Sequence, residues 1–234
     1  MNDNEVMLIT GTRKGIGKYL VEYYLQKGFH VIGCSRGPVD YEFDRYEHFC
    51  LDVSDEASVK IMFAQIRKSY KRLDVLINNA GLASMNHTLL TPLKTVQKLL
   101  DTNFIGTFLC CREAARLMQT KKYGRIVNFT TVAVPLRLEG EAVYASSKAA
   151  IMTLTQILAK EFGPLGITVN AIGPAPIKTD LIRSVPENKI NNILSDQAIH
   201  RFGELHDISH VIDFFIHQKS DFISGQVLYL GGVS

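Results

Sequence analysis

Short apolar runs alternate with helix-like stretches along almost the whole chain, and this alternation restricts the fold more than any other feature. "EVMLIT" (5–10) ends at a glycine turn, and residues 16–27 then set Ile16, Leu20, Tyr23, Tyr24 and Leu25 at helical spacing. "HVIGCS" (30–35), "HFCLDV" (48–53), "LDVLINNAG" (73–81), "GRIVNFT" (124–130), "ITVNAIGP" (167–174) and "QVLYLGG" (226–232) read as further strands. Residues 54–70, with a Ser54 cap and an acidic first turn, 91–120 and 143–163 read as helices, the second of them long and straight or bent. Strands joined by helices at this spacing run parallel, with helices on both faces of the sheet. The runs are apolar throughout, as doubly covered strands are. The expectation is one α/β domain over residues 1–234, a doubly wound parallel sheet of Rossmann type.

In such sheets ligands bind beyond the carboxyl ends of the strands. Gly11, Asp52, Asn79, Thr131 and Pro174 lie at or just after those ends, so they should converge on one crevice. The chain carries 46% hydrophobic and 21% charged residues and a net charge of +3, too little charge to argue for nucleic acid or membrane as a partner. "MNDNEV" is not a leader-like start, and no run approaches a membrane span, so a cytoplasmic protein is expected. Cys34, Cys50, Cys110 and Cys111 form no C-x-x-C pair and read as buried reduced thiols.

The turn after the first strand, "TGTRKGIG" (10–17), has the spacing G-x-x-x-G-x-G. Small residues let a backbone turn tightly against a pyrophosphate, and the following helix offers free N–H groups and the positive end of its dipole. Gly11, Arg13, Lys14, Gly15, Ile16 and Gly17 are therefore candidate cofactor residues. An NAD site usually places an acid at the end of the second strand, where it accepts from the ribose 2′-hydroxyl. Here that end reads Cys34-Ser35-Arg36, and the next acid, Asp40, lies further along. Arg36 with Arg13 and Lys14 would instead grip a 2′-phosphate, so NADP(H) is the expected cofactor.

"TGTRKGIG", "LDV" (51–53), "NNAG" (78–81), Asn103, "YASSK" (144–148) and "NAIGPAPIKTD" (170–180) occur in this order. Together they resemble the short-chain dehydrogenase/reductase family over essentially the whole chain. The likeness is greatest to the 3-oxoacyl-[acyl-carrier-protein] reductases and related NADPH ketoreductases, particularly over residues 200–232. The resemblance implies that Asn79, Ala80 and Gly81 line the cofactor with the glycine loop, and that Asp52 and Val53 meet the adenine. It implies that Pro174, Ile177 and Thr179 lie along the nicotinamide, and that Asn103 holds a water in a proton relay. It makes Tyr144 the catalytic acid/base, Lys148 its partner and Thr131 the hydroxyl preceding them, and it implies a homotetramer.

The chemistry suits these residue types. Reducing a carbonyl takes a hydride on carbon, which the cofactor supplies, and a proton on oxygen, which the protein must supply. A phenol is a weak acid near neutral pH, and a nearby ammonium favours its ionised form. Tyr144 and Lys148 stand four apart on a helix and so share one face. Thr131 stands where the family usually has serine, and Ala175 where a glycine follows the proline. Leu165 replaces a basic residue common in carrier-accepting relatives, while Lys121 and Lys122 could still attract an acidic carrier. Arg137, Glu139 and Glu141 occupy a segment that is often small or neutral, which hints at a polar substrate or a charged subunit contact.

His206 and His210 are four apart on a helix-like stretch, but a third metal ligand is not evident, and no metal site is expected. The small residues Ala145, Ser146, Ser147, Ala149 and Ala150 would permit close helix approach between subunits. The leading reading is an NADPH-dependent reductase of a small-molecule ketone. The alternatives are a reductase of a polar ketone in sugar or secondary metabolism, and a nucleotide-binding regulator with little turnover.

Overall fold

The computed structural model describes residues 5–178 and 187–233. Seven strands, β1 (Val6–Thr10), β2 (His30–Ser35), β3 (Tyr46–Cys50), β4 (Val75–Asn78), β5 (Gly124–Phe129), β6 (Ile167–Gly173) and β7 (Val227–Tyr229), form one sheet in the order β3-β2-β1-β4-β5-β6-β7. Every pairing is parallel, with Val6 opposite His30 on one side of β1 and Met7 opposite Val75 on the other. The chain turns back between β3 and β4, so the loops after β1 and β4 open side by side at the carboxyl edge.

Strand residues alternate between two apolar layers. Val6 and Leu8 enter the layer that holds Met62, Phe63, Leu109 and Cys110, from helices α2 (Glu56–Tyr70) and α4 (Gly106–Met118). Met7 and Ile9 enter the opposite layer with Leu20, Tyr24, Ile212 and Phe215, from α1 (Gly15–Gln26) and α8 (Leu205–Ile216). Burying such a side chain fully stabilises the fold by about 1.5–3 kcal/mol before entropy is counted.

The elements depart from the sequence reading in a few places. β3 ends at Cys50, so Asp52 and Val53 sit on the loop beyond it. As an edge strand β3 is less covered, and Cys50 is exposed, whereas Cys34, Cys110 and Cys111 are buried. The cap of α2 is Asp55, whose carboxylate accepts from the amides of Ala57 and Ser58; Ser54 instead donates to Asp52. The single helix expected over 91–120 is two, α3 (Leu93–Leu100) and α4, joined by a π-helical turn over Asp101–Ile105. Two further helices were not read from the sequence, the four-residue α5 (Ala133–Leu136) and α7 (Glu187–Ser195). The long α6 (Ala142–Phe162) lies over β5 and β6. Among the described residues no helix is long and apolar enough to cross a membrane.

Candidate active site

A cleft of about 880 Å³ opens over the carboxyl edge of the sheet, and Gly11, Asp52, Asn79, Thr131 and Pro174 all line it. Gly11 has φ +76° and Gly15 φ +60°, the left-handed region that glycine enters at least cost. A side chain on Gly17 would start 2.1 Å from the Gly11 carbonyl oxygen, so α1 can approach the loop only with glycine there. The end of β4 holds the loop in place. The Asn79 amide donates to the carbonyls of Thr10 (2.9 Å) and Gly11 (3.1 Å), and the Ala80 N–H donates to Thr10 Oγ1 (2.9 Å). No side chain caps the start of α1 and no acid stands in its first turn, so its dipole end faces the cleft. This cradle fits a pyrophosphate.

The end of β2 carries positive charge on two sides. Arg36 lines the cleft, and the Arg13 side chain lies against Gly37. Asp40 faces Lys18 at 3.9 Å, outside the cleft lining. Ser35 Oγ donates to the Gly37 carbonyl (2.8 Å) and meets His48 Nε2 at 3.1 Å. His48, Tyr46 and Thr12 form a polar cluster below that strand end, with Tyr46 donating to Thr12 Oγ1 at 3.1 Å. Burial lowers the His48 pKa. Lys14 and Ile16 line the cleft with the glycines. Asp52 accepts from both the amide and the hydroxyl of Ser54, and Val53 packs under Gly106 at the rim.

Across the cleft α6 carries Tyr144 and Lys148. Lys148 is buried, and its ammonium donates to the Phe129 carbonyl at 2.8 Å. Burial lowers its pKa to about 8. In return Thr130 Oγ1 donates to the Lys148 carbonyl at 3.1 Å, so α6 and the end of β5 are tied twice. The Thr131 hydroxyl, which accepts from the Ala133 amide (3.3 Å), lies beside the Tyr144 phenol in the cleft. Burial pushes the phenol up to about 12, the neighbouring Thr131 hydroxyl opposes this, and the nearby Glu141 adds to it. The sequence reading expected the Lys148 charge to lower the phenol. Here that charge is directed at a backbone carbonyl, desolvation dominates, and the phenol keeps its proton at neutral pH.

Asn103 lies at the centre of the π-helical turn and is fully buried. Its Oδ1 accepts from the Leu82 amide (2.8 Å), and its Nδ2 donates to the Leu82 carbonyl (2.9 Å) and to Ser147 Oγ (2.9 Å). Its side chain thus pins the loop after β4 to the helix that carries Tyr144. Ser147, expected at a subunit contact, is instead buried against Asn103. Gly81 lies between the two, since a Cβ there would sit 3.4 Å from both Asn103 Oδ1 and Lys148 Nζ.

The far wall comes from Pro174, Ala175 and Ile177 after β6, with Ile190 and Ile193 of α7. Thr179 lies outside the described residues. Ile190 and Ile193 were missed although Ile190, Ile193 and Leu194 stand at helical spacing, a signal that could have found them. Glu141 lines the same wall three residues before Tyr144; the sequence marked it only as a departure from the family pattern. Leu165 packs against the core, as an apolar residue at that position can.

The family model described as short chain dehydrogenase matches residues 5–190. The 3-oxoacyl-[acyl-carrier-protein] reductase FabG of Escherichia coli (strain K12) is 28% identical over 236 residues, covering 98% of this chain and 97% of its own. The structure of 4-hydroxyisoleucine dehydrogenase complexed with NADH superposes with a TM-score of 0.88 at 29% identity, covering 99% of both chains. ElxO with NADP bound superposes with a TM-score of 0.87 at 32% identity, covering 97% of this chain and 96% of its own. A likeness that runs from the first strand through the glycine loop to the helix over the cleft, with the same fold throughout, makes this chain a member of the short chain dehydrogenase family.

Proposed function

We propose that the chain reduces a ketone carbonyl to a secondary alcohol with NADPH, in the manner of a 3-oxoacyl reductase. The observation that carries this reading is the convergence of Tyr144, Thr131 and a buried Lys148 on one cleft, opposite the glycine loop. A reduced nicotinamide supplies the hydride when bound. Tyr144, protonated at neutral pH, gives its proton to the carbonyl oxygen and is left as phenolate. Thr131 donates a hydrogen bond to the same oxygen as charge develops. Lys148, mostly charged at neutral pH, offsets the phenolate charge from one helical turn away. Asn103 holds the Leu82 loop and α6 at fixed separation. The roles of Asp52, Val53, Asn79, Ala80, Gly81, Pro174, Ile177 and Thr179 in cofactor binding belong to this proposal.

Preference for the 2′-phosphate rests on Arg13 and Arg36 beside the end of β2, with Asp40 turned to Lys18. The substrate is a small carbonyl compound, the working form a homotetramer and the compartment the cytoplasm, with neither nucleic acid nor membrane as partner. The test is NADPH oxidation by the purified chain over a panel of ketones, with fluorescence titration of both reduced cofactors. Expected are turnover of at least one ketone and tighter binding of NADPH, with Arg36→Asp weakening NADPH more than NADH. Equal or tighter NADH binding by the parent defeats the cofactor assignment.

A further inference from the structure

The loop from Thr131 to Tyr144 delivers one side chain to the cleft that the reaction above does not use. Arg137 and Gly140 both have left-handed backbone, with φ +50° and +84°, and the chain reverses between them to start α6 at Glu141. Glu141 is the cap residue of that helix, yet its carboxylate caps nothing. A carboxylate at a helix start ordinarily accepts from the free amides there. Glu141 is only 9% exposed, it lines the cleft, and its Oε2 has no hydrogen-bond partner among the described residues. An orphaned buried carboxylate oxygen is costly unless something completes it.

The surroundings show what could. Val132, Ala175 and Ile193 form an apolar cluster with Leu138 in the cleft that Glu141 lines, and the Glu141 amide donates to the Leu138 carbonyl. An anionic group would meet the carboxylate of Glu141 itself and be repelled. Lys189 already places a positive charge near Glu141, so a cationic group would meet repulsion. A neutral donor suits the site. Glu141 stands three residues before Tyr144, one helical turn away, and its charge is felt at the phenol. The donor must therefore lie close to the reacting carbonyl.

We propose that Glu141 recognises the substrate by accepting a hydrogen bond from a hydroxyl group a few atoms from the carbonyl, so that the chain is built for hydroxy ketones rather than plain acyl chains. The inference rests on the reductase reading and names its substrate class. Burial raises the Glu141 carboxyl to about 7 against the opposing pull of Lys189, and Tyr144 is the other titratable group it acts on. Acceptance of the hydroxyl should therefore strengthen as pH rises through neutrality and the carboxylate forms.

The experiment compares kcat/KM for hydroxyacetone and butanone, which differ by one hydroxyl in place of a methyl group, and for their one-carbon-longer homologues. It uses the full chain at saturating NADPH and then NADH. The parent should prefer the hydroxy ketone by about tenfold or more. Glu141→Leu should bring that ratio near one. Glu141→Gln keeps the shape and one acceptor; it should keep part of the preference and lose its pH dependence. The Gln variant also carries the test if the Leu variant fails to fold. A parent that treats the paired ketones alike, a Leu variant that keeps the preference, or a Gln variant whose preference still rises through neutral pH overturns the inference and leaves the reductase reading intact. A parent that turns over none of these ketones nor any other carbonyl with either cofactor overturns both.

Discussion

The hydroxyl of Thr131 and the phenol of Tyr144 both line the cleft, and removing either oxygen tests a different half of the reaction. Tyr144→Phe should leave the fold and cofactor affinity nearly as they are while turnover collapses; retention of most of the rate places the acid elsewhere. Thr131→Ser keeps the donor and removes a methyl group, so it should stay active and admit bulkier ketones. Thr131→Ala should lose roughly a hundredfold or more, the cost of one oxyanion donor. Thr131→Val separates shape from hydrogen bonding, and parental activity in that variant would reduce the residue to packing. Lys148 gives a second readout through stability. Its pKa falls from the usual 10.5 to about 8 on folding, so between those values the unfolded chain holds more protons than the native one. The penalty for burying the charge is complete below pH 8 and is relieved as pH rises toward 10.5. Tyr144 acts in the opposite sense, because its raised pKa makes stability fall as pH climbs from 10 toward 12. The buried thiols of Cys34, Cys110 and Cys111 also have raised pKa values and weaken the fold above pH 9, so the readout is the difference between proteins: Lys148→Met should gain melting temperature over the parent at pH 7 and lose that advantage as pH rises toward 10.

At the scale of the element, strand and helix periods showed the sheet and the larger helices, because apolar layers on both faces leave a strong pattern. They did not show details decided by one hydrogen bond. Ser54 reads as well as Asp55 for the cap of α2, but the carboxylate of Asp55 reaches two amides while Ser54 is taken by Asp52. Asp55→Ala should cost about 1 kcal/mol of stability and leave ketone reduction as it was, whereas Ser54→Ala should cost less. The π-helical turn was invisible because its helical phase slips by a single residue, and only a break in straightness was suspected. Asn103 at its centre both donates to and accepts from Leu82. Asn103→Ala leaves the partly buried amide and carbonyl of Leu82 without their side-chain partner, at about 0.5–1.5 kcal/mol for each lost bond. Chemical denaturation should register this loss, and turnover should fall with it as the Leu82 loop comes free.

For the molecule as a whole, the convergence of five strand-end residues on one cleft could be read from topology alone, since parallel strands bring their carboxyl ends to one edge. Glu141 could be named but not understood, because neither its burial nor its missing partner is written in the local sequence. The surface carries a further expectation. Leu93, Leu100, Ile105 and Phe108 are exposed large apolar side chains on or beside α3 and α4, and Ile157 is another on α6. In the proposed homotetramer such side chains would lie at contacts between subunits. Light scattering at micromolar concentration should give a tetramer, and Phe108→Glu should shift it toward smaller species; a monomeric parent would contradict the assembly. The five-residue turn over Asp101–Ile105 also bears on how the chain tolerates change in length. Each helical residue advances the side-chain direction by about 100°. The added residue therefore puts α3 out of step with α4, so that of α3 only Leu99 is buried while α4 is enclosed along most of its length. Mechanically the turn is a phase shifter on one continuous rod. Deleting a single residue there would rotate everything upstream relative to the sheet, carrying Asn103 off Leu82, whereas the same deletion in the exposed loop before α3 would be absorbed as slack.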